Sequence, residues 1–361
     1  MIYIHVPFCH RKCTYCAFYS LGAQAARRQA EYVDVLLKEM EERRGEQAHP
    51  VRTVYFGGGT PSILPVGQLG RIVEALHDNF DLGQVEEATI EANPEDLTPQ
   101  YLADLAGLRF FNRLSIGVQS LDDGMLRMLN RRHTALQAVD AVENAHRAGF
   151  NNISVDFIYG LQADVQLSAF NFQLVNHISA YALTVEPGTA LAVQAEQGRV
   201  VLPGEEEVVR QYHALRDIFE EAGFRQYEVS NYARPGYESK HNSRYWNRTP
   251  YLGLGPGAHS FDGRSRRWNN PDGTVGRETL TAADACNELL MTSLRTTAGL
   301  ALADVPDRYR EALHETMQRY VDCGWVTLEP SPQATLDLLR YRPTPEGLLH
   351  ADGMAAALFV A

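Results

Sequence analysis

Two hydrophobic rhythms share the first 200 residues. Short β-branched runs read as strands: IYIHV (2–6), TVYFGG (53–58), ATIEA (88–92), RLSIGV (113–118), ISVDFIYG (153–160) and ISAYALT (178–184). Between them the apolar positions recur at helical spacing. Tyr32, Val35, Leu36 and Met40 share one face. Leu69, Ile72, Val73, Leu76 and Phe80 share another, opened by Pro65. Residues 134–148 form a third helical stretch and 163–176 a less regular one.

Six strand–helix units in a row predict parallel strands with helical crossovers. A doubly wound sheet and an open or complete β/α barrel both satisfy that order. Either one binds ligands at the carboxyl ends of its strands. The chemistry-bearing residues fall at those ends. A cysteine cluster follows the first strand and GGGTP ends the second. Glu91 ends the third, Gln119 ends the fourth, and Asp156 lies in the fifth.

Beyond residue 200 the rhythm changes. Residues 204–224 read as one more helix with a glycine stop. Tyr232 to Gly273 is rich in Gly, Pro, Asn, Arg and aromatics with little periodicity, which predicts a long functional loop. Helical spacing returns near residue 281, followed by a helix near 304–322, a strand-like WVTLE and a terminal helix. The expected domains are 1–230, a connecting region 231–280, and a small domain 281–361.

Composition narrows the classes. At 361 residues and 45% hydrophobic, the chain can bury a core in each of two or three domains. No apolar run approaches the roughly 18 residues of a membrane span. The opening MIYIHVPF has no signal-peptide pattern, so a cytoplasmic protein is expected. A net charge of -12 argues against a nucleic-acid partner. Five cysteines, three of them within CHRKCTYC, do not make a disulfide framework and point to a metal site.

The spacing of Cys9, Cys13 and Cys16 is Cys-x3-Cys-x2-Cys. Thiolates suit zinc or iron–sulfur clusters. Zinc would need a fourth ligand, such as His5 or His10. A four-iron cluster on three thiolates would leave one iron open to a small molecule. Three thiols on one loop beside a strand favour the cluster. Gly57 to Ser62 is either a tight turn or a place where backbone carbonyls meet a ligand. No Lys-Ser or Lys-Thr follows, so it is not a phosphate loop. Glu91 could accept ribose hydroxyls or stand as a charge beside Asn93. Gln119 could be an ordinary rim residue. Arg131 could pair a carboxylate bidentately. Asp156, inside an apolar run, needs a partner, with Arg113 the structural candidate.

YIHVPFCHRKCTYC resembles the signature of the radical S-adenosylmethionine (radical SAM) family. The resemblance implies an α/β fold with a partial (β/α)6 barrel and a small, mostly helical, winged-helix-like C-terminal domain. It implies that Cys9, Cys13 and Cys16 hold a [4Fe–4S] cluster whose open iron binds S-adenosylmethionine (SAM). By the same resemblance Tyr15 lies near the adenine, and Gly58, Gly59 and Thr60 hold the methionyl amine. Glu91, Gln119, Arg131 and Asp156 match positions around SAM, as do Tyr3 and Ala182.

The match runs from residue 2 to about 355 and is best with the oxygen-independent coproporphyrinogen III oxidase-like group. Phe18 stands where the oxidase carries a fourth cysteine. A strand starting at residue 2 leaves no room for the oxidase's N-terminal extension. HNSRYW (241–246) is similar to a motif linked to heme binding in the group's heme-chaperone branch. The implied function is binding heme and delivering it to acceptor proteins, with any membrane contact made through the acceptor. Radical decarboxylation of coproporphyrinogen III is the alternative, and a radical SAM enzyme acting on tRNA the weakest. In the heme reading His241 is an axial ligand, and Tyr245 and Trp246 pack on the porphyrin. Arg244 and RSRRW (264–268) meet the propionates. In the structural reading His241 and Asn242 make turn hydrogen bonds and the aromatics cap the barrel. His259 is a second candidate ligand. After FIYGL the family continues Pro-Gly-x-Thr and a Trp-bearing helix, whereas this chain reads QADVQLSAFNFQLVN and is several residues shorter.

Overall fold

The computed structural model describes residues 1–22, 28–47, 49–162, 167, 170–330 and 335–361. Six parallel strands, β1 (Ile2–Val6), β2 (Thr53–Gly58), β3 (Glu87–Ala92), β4 (Arg113–Gln119), β5 (Ile153–Tyr159) and β6 (His177–Ala182), lie in chain order. Each has two faces, because side chains alternate along a strand. Ile4, Phe56, Ile90, Ile116, Phe157 and Ile178 enter the hydrophobic core. The alternate positions are polar: Tyr55, Glu91, Ser115, Asp156 and Ser179 among them. These line the concave inner face of the sheet, called the lumen below. Apolar runs and a polar lumen thus share the same strands.

Helices α1 (Gln29–Arg43), α2 (Val66–Asn79), α3 (Pro99–Gly107), α4 (Asp123–Met128) and α5 (Ala135–Arg147) make the crossovers. In α1 the buried face is Val33, Leu36 and Met40, while Val35 is 68% exposed. Val35 lies two positions from Val33, about 200° around the helix, so it cannot share that face. The face of α2 is as expected: Leu69, Ile72, Val73 and Leu76. Of the helical stretch expected at 163–176, residues 163–166 and 168–169 lie outside the described residues. The described remainder holds a single 3-10 turn, Phe172–Leu174. There Phe170 and Phe172 pack edge to face with each other, Phe170 on Phe157 and Phe172 on Phe219 and Phe224.

After β6 come α6 (Ala190–Glu196), α7 (Glu205–Glu221), β7 (Arg225–Glu228) and β8 (Asn231–Ala233). The segment expected as one long loop is structured. It contains α8 (Lys240–Trp246), β9 (Leu252–Leu254) and an antiparallel meander of β10 (His259–Phe261), β11 (Ser265–Asn269) and β12 (Val275–Thr279). These elements are too short for periodicity to register. β9 pairs in parallel with β1, so among the described residues the main sheet has nine strands, ordered β7-β8-β6-β5-β4-β3-β2-β1-β9. Its edges, β7 and β9, do not pair, and the barrel stays open.

The rest is α9 (Ala282–Leu294), β13 (Leu300–Ala301), α10 (Asp307–Asp322), β14 (Val326–Glu329), β15 (Arg340–Pro343), α11 (Pro345–Leu349) and α12 (Ala351–Ala357). These enclose a separate core that includes Leu290, Leu294, Met317, Tyr341 and Met354. Arg295 joins the two parts through Glu228, at 3.0 Å.

Candidate functional site

The cysteine loop leaves β1 and is stapled at several points. Cys9 N–H donates to the Leu21 carbonyl at 3.0 Å, and Leu21 N–H donates to the Pro7 carbonyl. Phe8 anchors it in the core against the Tyr32 ring. Thr14 holds its far side to the end of α4, with N–H to Leu129 O and hydroxyl to Met128 O, both 3.1 Å. Cys9, Cys13 and Cys16 are free thiols, all half-buried. Two receive hydrogen bonds: Arg131 Nη1 to Cys13 Sγ at 3.5 Å, and Thr60 Oγ1 to Cys9 Sγ at 3.6 Å. Donors aimed at sulfur suit metal-bound thiolates, whose charge they stabilise. Burial pushes the Cys9 and Cys16 thiols up, a cost that metal binding offsets by taking the proton's place.

The donor set fits a four-iron cluster better than zinc. His5 uses both ring nitrogens, on Tyr3 OH and the Tyr19 carbonyl, each at 3.2 Å. His10 turns to Asp96 at 3.5 Å. Among the described residues no three His, Cys, Asp or Glu side chains converge as tightly as a single ion requires. In a four-iron cluster each thiolate takes its own iron, so the three need not meet at a point.

The glycine turn lies against this loop. Gly58 has φ +110°, and a Cβ there would stand 2.8 Å from the His5 ring. A Cβ on Gly59 would stand 2.5 Å from the Phe8 carbonyl oxygen. Only glycine allows that approach, which brings Thr60 beside Cys9.

Arg131 ties the rim together. Its Nη2 donates to Asn93 Oδ1 at 2.6 Å and to the Gly117 carbonyl at 2.8 Å. Gln119 adopts φ +65° where the β4–β5 register shifts, and its amide folds back over Gly117 beside Arg131. Thus Cys9, Cys13, Thr60, Gln119 and Arg131 meet in one place.

Deeper in the lumen stand two carboxylates. Glu91 accepts from Tyr55 OH at 2.7 Å, and Asp156 from Ser115 Oγ at 3.4 Å. Burial pushes Glu91 up to about 7; the Tyr55 bond opposes this and the Asp156 charge adds to it. Burial likewise pushes Asp156 up to about 6, against the pull of Ser179 and Arg113. Carboxylates so poised gain from a cation, and a sulfonium-bearing ligand supplies one. Tyr3 lies beside Gly57 and Glu91, its hydroxyl held neutral by burial. Tyr15 packs on an apolar patch with Leu129, Ile158 and Leu161, and its hydroxyl lies beside Cys13 and near Arg131. Ala182 ends β6, exposed, opposite Tyr159.

HNSRYW lies at the other end. Glu87, the first residue of β3, accepts from Lys240 N–H at 3.0 Å and His241 N–H at 2.9 Å, capping α8 under the sheet. His241 is 1% exposed. Its Nδ1 contacts Thr53 Oγ1 at 2.9 Å, its Nε2 contacts Tyr245 OH at 3.2 Å, and its ring lies 5.0 Å from Tyr55. Burial pushes it down to about 3, so the ring is neutral. Both nitrogens are engaged within the protein, so an axial role would require the ring to leave Thr53 or Tyr245. Tyr245 packs on Tyr251 and Trp246 on Tyr227, edge to face, and both rings also line a smaller cavity of about 280 Å3 with Asn242 and Tyr181. β2 runs from Thr53 at this plug to Gly58 at the rim, about 16 Å away. His259 is exposed and stacks on Trp268.

Tyr55, Asn93, Arg113, Ser115 and Ser179 join the site without having been singled out as ligand-facing residues. The usable signal was the period-two recurrence of polar residues within each apolar strand.

The radical SAM superfamily model matches residues 3–164. The heme chaperone HemW of Synechocystis sp. is 32% identical over 397 residues, spanning 99% of this chain and 96% of that protein. The heme chaperone HemW of Lactococcus lactis is 37% identical over 265 residues, spanning 72% and 69%. Among solved structures, the radical SAM enzyme coproporphyrinogen III oxidase of Escherichia coli superposes with a TM-score of 0.81 at 21% identity, over 99% of this chain and 89% of that one, a likeness of fold.

Proposed function

Because the chain belongs to the HemW family of radical SAM proteins, we propose that it is a heme chaperone, which binds heme and hands it to acceptor proteins. The observation that carries this reading is a likeness to heme chaperones that spans the whole chain, not the cluster-bearing part alone.

In this reading Cys9, Cys13 and Cys16 hold a [4Fe–4S] cluster and the rim holds SAM. Together they supply one-electron chemistry at the carboxyl ends of the strands. The chain's own residues bind and orient. Arg131 and Thr60 support the sulfurs, and Gly58–Thr60 lay backbone beside them. Glu91 and Asp156 face the cationic part of SAM, Gln119 sits at the same rim, and Tyr3, Tyr15 and Ala182 border the pocket. Residues 1–230 carry the cofactors, 231–280 contribute to heme binding, and 281–361 form the appended domain. Phe18, 71% exposed, offers no fourth thiol, which weighs against porphyrinogen oxidation. No helix among the described residues is long and apolar enough to cross a membrane.

The test is an anaerobic heme titration of the cluster-loaded protein, followed by Soret absorbance and by transfer to an apo-hemoprotein. Saturation near one heme per chain, with transfer, is expected. Unsaturable binding together with turnover of coproporphyrinogen III would replace this reading with the oxidase.

A further inference from the structure

A cavity of about 890 Å3 opens at the amino ends of β1, β2 and β9. Its volume is within the range of about 300–1,000 Å3 typical of small-ligand sites. It lies at the opposite end of the strands from the cysteine loop. The meander β10–β12 folds back over the strand ends and forms much of its wall.

Five arginines line it: Arg52, Arg244, Arg266, Arg267 and Arg277. In a chain of net charge -12 that is a marked local reversal. Three have partners: Arg52 and Arg244 share Glu86 at 3.0 and 3.8 Å, and Arg266 reaches Glu288 at 2.7 Å. The other two are poorly matched. Arg267 approaches Glu46 only to 3.7 Å, and that carboxylate is already held by Arg43 at 2.7 Å. Nε and Nη1 of Arg267 are buried without a hydrogen-bond partner. Arg277 makes no described hydrogen bond or ion pair, and it adds like charge beside Arg267. A buried donor without an acceptor costs about 1–3 kcal/mol, and a charged one more. The acids on the wall relieve this only in part. Glu46 lies near both Arg267 and Arg277 but is bonded to Arg43, Asp262 is used by the backbone N–H groups of Arg264 and Ser265, and Glu278 stands across the ladder from Arg266.

The lining also has an apolar and aromatic part, Pro50, Pro250, Tyr251, Leu252 and Phe261, beside polar residues such as Gln47, Gln84 and Thr249. A ligand matched to this wall is amphipathic, with an apolar body and two carboxylates within reach of neighbouring guanidiniums. An extended polyanion fits poorly, since the cationic patch is confined to one cleft of an acidic surface. His49, on the cavity's edge, presents an imidazole to the same space.

We propose that this cavity holds the heme, its two propionates on Arg267 and Arg277 and its ring against Tyr251 and Phe261. The proposal rests on the heme-carrier reading and moves the heme away from His241. Arg244 and His241 share α8 but serve different spaces: Arg244 lines the cavity and His241 points into the lumen. Carboxylate–guanidinium pairs of this kind give the buried, unpaired donors of Arg267 and the exposed Arg277 a bidentate partner.

Heme titrations of the cluster-loaded full chain test this, with wild type, Arg267→Ala, Arg277→Glu and the double variant. Each single substitution is expected to weaken heme binding at least tenfold, with cluster content and the urea midpoint unchanged for the exposed Arg277→Glu. The dimethyl ester of heme, which lacks both carboxylates, is the second probe. Wild type is expected to bind it as weakly as the double variant binds heme, and the double variant is expected not to distinguish the two. If wild type saturates with heme and the variants match it, the location is wrong while the carrier function stands. If wild type binds no heme, both fall.

Discussion

Glu91→Gln probes the electrostatic poise of the lumen. The carboxyl is half-buried, bonded to Tyr55, and faces Asp156. Its pKa of about 7, against an ordinary 4.5, means that ionising it in the folded protein costs about 3 kcal/mol more than in the unfolded chain. Between about pH 4.5 and 7 the folded state keeps a proton that the unfolded state has lost, so stability falls as pH rises through that window. The glutamine variant has no such titration. Urea unfolding of the cofactor-free protein from pH 4 to 8 measures the difference. Wild type and variant are expected to have like slopes below pH 4.5, and wild type is expected to lose about 3 kcal/mol relative to the variant by pH 7 to 8. Removing the Glu91 charge also eases Asp156, so the two titrations are coupled, and Asp156→Asn is expected to flatten the wild-type decline in part. Curves that run parallel across the whole range would refute the reasoning.

His241→Ala is expected to cost about 2–4 kcal/mol of stability, from two buried hydrogen bonds and a ring-sized void, while changing heme affinity less than twofold; urea unfolding beside a heme titration separates these effects. Gly58→Ala is expected to cost at least about 1–3 kcal/mol through its φ of +110°, before the His5 ring is displaced, and thermal unfolding reads this directly. Cys13→Ser is expected to drop iron after anaerobic reconstitution from about four atoms per chain to well below that, without loss of far-ultraviolet circular dichroism. Retention of four irons would show that Cys13 is not a ligand.

Much of the architecture is legible in the sequence for one reason. β1 to β6 are long enough for their β-branched runs to stand out, and turn residues and helical stretches separate them. The cysteine loop, the glycine turn, Glu91, Gln119 and Asp156 fall at strand ends or inside strands, so placing the strands places them too. Other features depend on contacts remote in sequence. β9 is three residues long and exists because it lies beside β1. Arg131 is a helix-flanking arginine until the fold brings it to Cys13, 118 residues away. His241 has the same side chain whether it binds iron or Thr53, and only burial distinguishes the two. Val35 misled because it follows Val33 by two positions, which turns it about 200° away from the face that Val33 buries.

The pairing of β9 with β1 has a consequence for synthesis. Translation makes β1 first, yet the strand that covers its outer edge emerges about 250 residues later. At roughly 5–20 residues per second, that edge stays open for about 12 to 50 s on the ribosome. The cysteine loop hangs from the end of the same strand. Until Leu252–Leu254 arrives, the nascent chain displays a bare sheet edge and three reduced thiols side by side, each a hazard for mispairing or oxidation.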